Sequence, residues 1–341
     1  MNTWNVSQTN IDYQQNYVLV DTQNYAFKAK YPPRLFFYQP KIEKKFYLHE
    51  ELNGYIRYFV EETKRKSPNF NLNNFYRNIN NSSIIILNAE NKLDSKTIIV
   101  PAAYNFAGNV ITISHKKNMH SLFHELYHLS ASYIDDDGVI YSGFSQISPR
   151  GVRVGNGITE GYNALITNRN FNADFSYPVE RFVMGRIEQI VGRDLMEKLY
   201  SEMNLLGLVE VLKQMGFDNE FISLLDSLDY ILEASPIIVD KGVLVMNRNY
   251  DPNMVNALFN NYKSIYMDLV EISIKMIKPK YTQGLISQEQ AQAEFYTLLS
   301  EQTAVIRNVV LQRLNIEMIT PAFQKEIDNH FFNNMYFTRT Y

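Results

Sequence analysis

The sequence contains no cysteine among its 341 residues. This absence excludes disulfide bonds and every metal site that depends on thiolate ligands. Histidine is scarce as well, with six residues in the whole chain. Imidazole and carboxylate groups are therefore the only strong zinc ligands that the chain can offer. A metal site is therefore expected only where two of these histidines lie close to an acidic residue.

The sequence also lacks a basic excess and a long apolar run. Lys and Arg number 33 and Asp and Glu 36, for a net charge of −3, so the basic surface of a nucleic-acid-binding protein is not expected. No stretch approaches the ~20 apolar residues of a membrane span, and the first residues lack the basic and apolar regions of a secretory signal. We predict no nucleic-acid partner, no membrane span and a cytoplasmic location, and leave signal-independent export and oligomeric state open.

Apolar and aromatic residues are plentiful. Hydrophobic residues make up 45% of the chain and charged residues 20%, with 24 Tyr and 21 Phe. This balance is typical of a soluble globular protein. A chain of this length can bury a large core and divide into sub-domains.

Short runs rich in isoleucine, valine and threonine lie in the first half of the chain and predict a small sheet. They occupy Ser83–Leu87, Thr97–Val100 and Asn109–Ser114. We expect the last run to lead into a helix with Asn118 as its N-cap, because asparagine is favoured at that position. Val139–Ile147 is expected to form a hairpin or a covering loop.

Helical patterns dominate the second half of the chain. Pro178 and Gly192 show the asymmetry expected of a helix start and a helix end. Ser287 and Gln290 predict a capping box. One interruption, 236–247, has the pattern of a β-hairpin.

These patterns predict an α+β fold in three parts. Residues 1–82 are expected to form an irregular and helical N-terminal region. Residues 83–175 would contain the sheet and two short helices, and residues 176–341 a mostly helical sub-domain with a hairpin near 236–247.

The chain is organised around His124-Glu125-Leu126-Tyr127-His128. On an α-helix, residues four apart lie on one face, so both imidazoles can reach one cation, and Glu125 can approach a water molecule on that cation. Apolar neighbours predict that this helix is buried, and buried polar groups need partners. We predict His124 and His128 as ligands of one zinc ion per chain and Glu125 as the catalytic base. The alternative is a core helix with two hydrogen-bonded histidines.

Two histidines need a third protein ligand if zinc is to keep one position open for water. A metzincin would place glycine and histidine where this chain has Ala131 and Ile134, which excludes that class. Glu160, on a second predicted helix, is the best candidate. The run Asp135–Asp137 competes with it, although its sequence is typical of a polar turn.

These residues resemble the gluzincin metallopeptidases over roughly 95–205, with a strand, the motif helix and then a glutamate on a following helix. The chain departs from the thermolysin pattern Asn-Glu-x-x-x-Asp, because Ala164 occupies the position of that Asp, and it lacks the Gly-x-Met-Glu-Asn signature of gluzincin aminopeptidases. The resemblance implies a zincin-like catalytic core and a zinc metallopeptidase acting on a peptide or protein. It does not identify a subfamily.

The resemblance also implies a mechanism. Glu125 would activate a zinc-bound water and pass its proton to the leaving amine. A further donor is needed for the developing oxyanion; Tyr177 is the first candidate, followed by Tyr162 and Arg153. An extended peptide is expected to pair with Asn109–Ser114 at an exposed sheet edge.

Two other interpretations stay open at the level of sequence. One is a catalytically silent zincin-like protein that binds a peptide or protein. The presence of Glu125 argues against it, because a binding site has no need of a base there. The other is a helical interaction protein in which the motif is accidental, and metal content would separate this case from the others.

Overall fold

The computed structural model describes residues 50–86, 97–106, 108–114, 116–174, 176–234, 237–240, 243–247 and 250–336. All of them belong to one compact unit, Pro32–Tyr341. Of the predicted N-terminal region 1–82, the part before Glu50, including its irregular segment 1–45, lies outside the described residues. The described part is mixed α+β and mostly helical, as the sequence predicts at this level. The boundaries after residues 82 and 175 remain predictions.

Two helices precede the sheet. Helix α1 (Glu50–Lys66) has acidic residues in its first turn and basic residues in its last, which suits the helix dipole. It buries Leu52, Ile56 and Phe59 on one face. The asparagine-rich stretch that follows forms helix α2 (Asn73–Asn81).

The first sheet contains β1 (Ser83–Ile86), β3 (Ala102–Asn105) and β4 (Val110–Ile113), in the order β1-β4-β3. Strand β4 pairs with β1 in parallel and with β3 antiparallel. The sequence did not indicate β3, because its Ala-Ala-Tyr-Asn sequence has little β-branched character.

The run Thr97–Val100 does form a strand, β2 (Thr97–Ile99), but in a different sheet. It pairs with β10 (Val243–Asn247), which pairs in turn with β9 (Ile237–Asp240), both antiparallel. The predicted hairpin is thus confirmed. The expectation that all three early runs share one sheet is wrong, because pairing with a segment about 150 residues away cannot be read from local pattern.

A third sheet follows the motif helix. It comprises four short antiparallel strands, β5 (Ser132–Ile134), β6 (Ile140–Ser142), β7 (Ser145–Ile147) and β8 (Arg153–Val154), in sequence order. Strands β6 and β7 form the hairpin predicted within Val139–Ile147.

The motif helix, α3, spans Leu122–Ser130 and is buried along its whole length. A 3-10 helix, Lys116–Ser121, precedes it. Asn118 lies inside that segment, and the N-cap position of α3 belongs to Ser121. The predicted N-cap is therefore wrong, because the chain tightens into a 3-10 turn before the α-helix begins.

The remaining described chain is helical apart from β9 and β10. The predicted boundaries at Pro178 and Gly192 and the capping box at Ser287 are confirmed. Among the described helices, none combines the length and apolarity that crossing a membrane requires. In chain order the helices are α4 (Asn156–Phe171), α5 (Pro178–Val191), α6 (Arg193–Ser201), α7 (Leu205–Gln214), α8 (Asp218–Glu233), α9 (Pro252–Thr282), α10 (Gln288–Leu314) and α11 (Pro321–Tyr336).

Two glycines let α4 pack closely against its neighbours. A Cβ atom at Gly157 would lie 2.6 Å from the carbonyl carbon of Leu228 on α8, and one at Gly161 would lie 2.5 Å from that of Glu180 on α5. The two glycines are one helical turn apart and flank Glu160. Close backbone packing thus fixes the helix that carries the predicted third ligand.

Replacing Gly161 by alanine is expected to destabilise the protein by about 1–3 kcal/mol, because backbone rather than a flexible side chain has to move. Gly185→Ala is the matched control. Gly185 lies on α5, and the nearest atom to an added Cβ is 4.0 Å away, so alanine there should stabilise the helix by about 0.5–1 kcal/mol. Urea unfolding measures both variants. Equal effects of the two substitutions would contradict the packing argument.

A half-buried acid links α8 and α9. Asp268 of α9 accepts a hydrogen bond from Ser223 Oγ at 2.7 Å. Burial, and then the nearby carboxylates of Glu220 and Glu271, raises the pKa of Asp268 to about 7. In the unfolded chain this proton leaves at a much lower pH. The stability that the bound proton contributes is therefore present in acid and lost as the pH rises toward about 7.

Asp268→Asn should remove this dependence, because the amide does not titrate. We expect the free energy of unfolding of the variant, relative to that of the original protein, to rise between about pH 4 and pH 7 and then to level off, each pKa unit being worth at most about 1.4 kcal/mol. Urea unfolding across this pH range measures the difference. A difference that does not change with pH would show that Asp268 titrates normally.

Candidate metal centre

Helix α3 brings His124, Glu125 and His128 together in the interior. Each of the three residues is at most 6% exposed. The two histidines are one helical turn apart, and their ring centroids are 4.8 Å apart. The helical spacing predicted from the sequence is thus present.

Glu160 of α4 completes a group of three possible ligands. Its Oε2 atom lies 3.0 Å from His124 Nε2 and 3.2 Å from His128 Nε2, and the two Nε2 atoms lie 3.1 Å apart. The three donor atoms therefore form a nearly equilateral triangle. The sequence-based grouping of these residues agrees with their positions.

The shape of this triangle favours a central cation over a shared proton. Ligands of a tetrahedral zinc ion, at about 2.0–2.1 Å from the metal, lie about 3.3–3.4 Å from one another. A proton, in contrast, bridges only two atoms at a time. Hydrogen bonds alone would therefore leave one of the three separations longer than the other two. Three separations between 3.0 and 3.2 Å are close to the face of a small coordination tetrahedron. The group therefore has the geometry to hold a metal ion.

Asp174 supports the first histidine from outside the triangle. Its Oδ2 atom lies 2.5 Å from His124 Nδ1. A proton on Nδ1 would be donated to this carboxylate, which leaves the Nε2 lone pair directed at the other two donors. Burial would raise the pKa of Asp174, but His124 and Ser176 lower it to about 2. The carboxylate is therefore ionised at neutral pH.

The charges in the cluster stabilise one another. Burial would lower the pKa of His124, but Asp174 and then Glu160 raise it well above its ordinary value. Burial would raise the pKa of Glu160, but His128 and His124 hold it far below its usual range. Glu160 is thus a carboxylate anion rather than a neutral acid, as a metal ligand has to be.

The sequence analysis missed Asp174. The thermolysin pattern would place an aspartate where this chain has Ala164, and the structure provides a carboxylate ten residues later. Asp174 is the only acid between Glu160 and Glu180, a signal that could have identified it. It lies in the connection from α4 to α5.

Further contacts hold the two ligand-bearing helices together. Asn163 of α4 donates from Nδ2 to the carbonyl oxygen of His124 at 3.0 Å. Phe106, which follows β3, packs edge-on against the ring of His128 with centroids 5.9 Å apart. Ser142 Oγ lies 3.5 Å from Nδ1 of the same ring. The positions of both imidazoles are therefore restricted from several sides.

The carboxylate of Glu125 is not one of the three donors of the triangle. Within the described part of the chain, its carboxylate makes no hydrogen bond, although the residue is only 6% exposed. Burial raises the pKa of Glu125, Glu160 and Asp174 raise it further, and the two histidines oppose this. A buried carboxylate with a raised pKa is a stronger base than one in water.

Tyr177 lies at the start of α5 with its ring 5.8 Å from that of His124. Its backbone is left-handed, with φ 51° and ψ 52°, a conformation that costs a non-glycine residue free energy. Burial, and then Glu160 and Glu125, raises the pKa of Tyr177 well above its usual range. The phenol therefore keeps its proton and can donate a hydrogen bond.

The other oxyanion candidates have different surroundings. Tyr162 is fully buried and donates to Glu188 Oε2 at 2.8 Å. Arg153 is exposed on β8. Among the described residues, neither forms a hydrogen bond with His124, His128 or Glu160.

The competing aspartates form a turn. Asp135 Oδ1 accepts hydrogen bonds from the backbone N–H groups of Asp137 and Val139, and Oδ2 accepts one from Tyr141. This is the local side-chain bonding that turns favour. Among the described residues, the metal-binding group contains none of these aspartates.

The predicted peptide-binding strand is not at a sheet edge. Strand β4 is central, with β1 on one side and β3 on the other. Its backbone groups are committed to these neighbours, so the expectation that a peptide pairs with Asn109–Ser114 is wrong. Within the described sheet, β3 lies at the edge and packs against α3.

Comparisons with protein-family models, with curated proteins and with solved structures give no match for this chain. The function of the site must therefore be inferred from its geometry and chemistry.

Proposed function

We propose that this protein is a zinc-dependent metallopeptidase. The observation that carries the proposal is the triangle of His124, His128 and Glu160, with the unbonded carboxylate of Glu125 beside it on the same helix. Two imidazoles and one carboxylate are the ligand set of many catalytic zinc sites. A zinc ion would displace the proton that the raised pKa of His124 otherwise retains. Without cysteine in the chain, this is also a set that favours zinc over softer metals.

A bound zinc ion would lower the pKa of a water molecule toward neutrality and polarise the substrate carbonyl. Glu125 would accept the proton from the attacking water as its oxygen bonds to the carbonyl carbon. The same residue would then deliver that proton to the amide nitrogen as the carbon–nitrogen bond breaks. The proton count balances, and Glu125 returns to its ionised form.

Tyr177 is our choice for donating a hydrogen bond to the developing oxyanion. Its ring lies beside His124, and its raised pKa keeps the hydroxyl protonated. Asp174 would keep the His124 ring in a fixed orientation and tautomer. Tyr177 would thus stabilise the developing charge, and Asp174 would position a ligand.

For the substrate, the edge strand β3 replaces β4 as the surface that would pair with an extended peptide. It packs on α3, and the residue after it, Phe106, contacts His128. A peptide added along this edge would run past the imidazole pair. We therefore propose an extended segment of a peptide or protein as the substrate.

The proposal is tested by measuring metal content together with peptide cleavage. The purified protein is expected to bind one zinc ion per chain and to cleave members of a broad peptide library, and a chelator should abolish the cleavage. Bound zinc without cleavage of any member would favour the silent binding protein. Absence of bound zinc after incubation with the metal would refute the proposal.

A further inference from the structure

The first turn of α4 is capped from another helix. Its N-cap residue, Gly155, has no side chain to accept a hydrogen bond, and its backbone is left-handed with φ 78°. Asp229 of α8 provides the missing acceptors. Its Oδ2 atom accepts from the N–H of Gly155 at 2.7 Å, and its Oδ1 atom accepts from that of Gly157 at 2.6 Å.

This contact lies one turn before the third ligand. Gly157 is three residues ahead of Glu160 and packs against the backbone of Leu228, the neighbour of Asp229. A carboxylate at a helix N-terminus also interacts favourably with the helix dipole. The first turn of α4 is thus held both by this backbone packing and by one side chain from a helix that contributes no ligand.

We propose that Asp229 is a positioning residue for the metal centre. By capping α4, it holds Glu160 in the register at which its carboxylate meets the two imidazoles. This inference depends on the proposed metal function, because it concerns how well the triangle of donors binds a divalent cation. Asp229 does not touch the triangle and acts through the backbone of α4.

Asp229→Asn is the main test. Asparagine keeps one acceptor oxygen but turns an amide group toward a backbone N–H, so one hydrogen bond is lost and two donors oppose each other. We expect zinc affinity, measured at about pH 8 by competition with a chromophoric chelator, to fall at least about tenfold, as for outer partners of metal sites. Burial raises the pKa of Asp229 to about 7, so this pH keeps the original carboxylate mostly ionised.

Asp226→Asn is the matched control. Asp226 lies on the same helix three residues earlier and is partly buried, and burial alone raises its pKa. The same change of charge there should leave zinc affinity within about twofold of that of the original protein, because Asp226 makes no hydrogen bond to α4 among the described residues. An equal loss in both variants would overturn the inference.

A second measurement separates positioning from general stability. The visible absorption spectrum of the cobalt-loaded protein reports the ligand geometry around the metal, and we expect Asp229→Asn but not Asp226→Asn to change it. Asp229→Ala, which removes both acceptors and introduces no opposing amide, is measured in parallel and should also lose affinity. An unchanged spectrum and affinity in a folded Asp229 variant would overturn the inference, as would failure of both variants to fold. If the original protein binds no zinc, the proposed function itself has failed.

Discussion

Replacing Glu125 by glutamine is expected to lower the rate of peptide cleavage by about 10²–10⁴-fold while leaving one zinc ion bound per chain. The substitution preserves the size of the side chain and removes its basicity. Metal binding should persist because Glu125 lies outside the triangle of donor atoms. Cleavage is measured on a peptide substrate of the original protein, and zinc by metal analysis of the purified variant.

Glu180→Gln provides the matched control for this prediction. Glu180 is 6% exposed, the same as Glu125, but lies on α5. Loss of activity in the Glu125 variant alone would assign the effect to the base rather than to removal of a buried charge. Cleavage that continues at the original rate in Glu125→Gln would contradict the mechanism, whatever the metal content.

The part of the site that local periodicity determines could be predicted. His124 and His128 are one helical turn apart, and α-helical geometry alone places them on one face. Glu160 was predicted because a zinc site with two histidines requires a third ligand. The sequence after the motif offers few acidic residues for that position. The structure brings these residues together as a possible metal-binding group.

The outer parts of the site could not be predicted in this way. Asp174 meets His124 across 50 residues of sequence and Asp229 meets Gly157 across 72, and no periodic pattern links either pair. Both contacts depend on how α4 packs against its neighbours. Ala164 shows that the chain departs from the thermolysin pattern, but it does not indicate which residue provides the carboxylate instead.

In the sheets, too, local features could be predicted and the pairing of distant segments could not. The three β-branched runs were recognised as strands, because residue preference and alternation are local properties. Their partners were not, and β2 pairs with β10 rather than with its neighbours in sequence. The assignment of the edge strand failed for the same reason, since β3 has weak strand character and was absent from the prediction.

Replacing Glu160 by glutamine is expected to weaken zinc binding by more than about a hundredfold. The amide is neutral and replaces the only anionic donor among the three. Even outer partners of metal ligands are worth about 10–100-fold in affinity, so loss of a direct ligand should exceed that range. Competition with a chelator measures the dissociation constant of each variant.

Two further variants provide reference values for the loss of zinc affinity in Glu160→Gln. Asp174→Asn should weaken zinc binding by about 10–100-fold, because it disturbs the orientation of His124 without removing a ligand. Asp135→Asn should leave the affinity unchanged, since that carboxylate bonds within its own turn. An ordering in which Asp135→Asn loses more affinity than Glu160→Gln would transfer the third ligand to the aspartate turn. If Glu160→Gln lowers stability but zinc affects neither protein, a shared proton rather than a metal ion holds the three donors together.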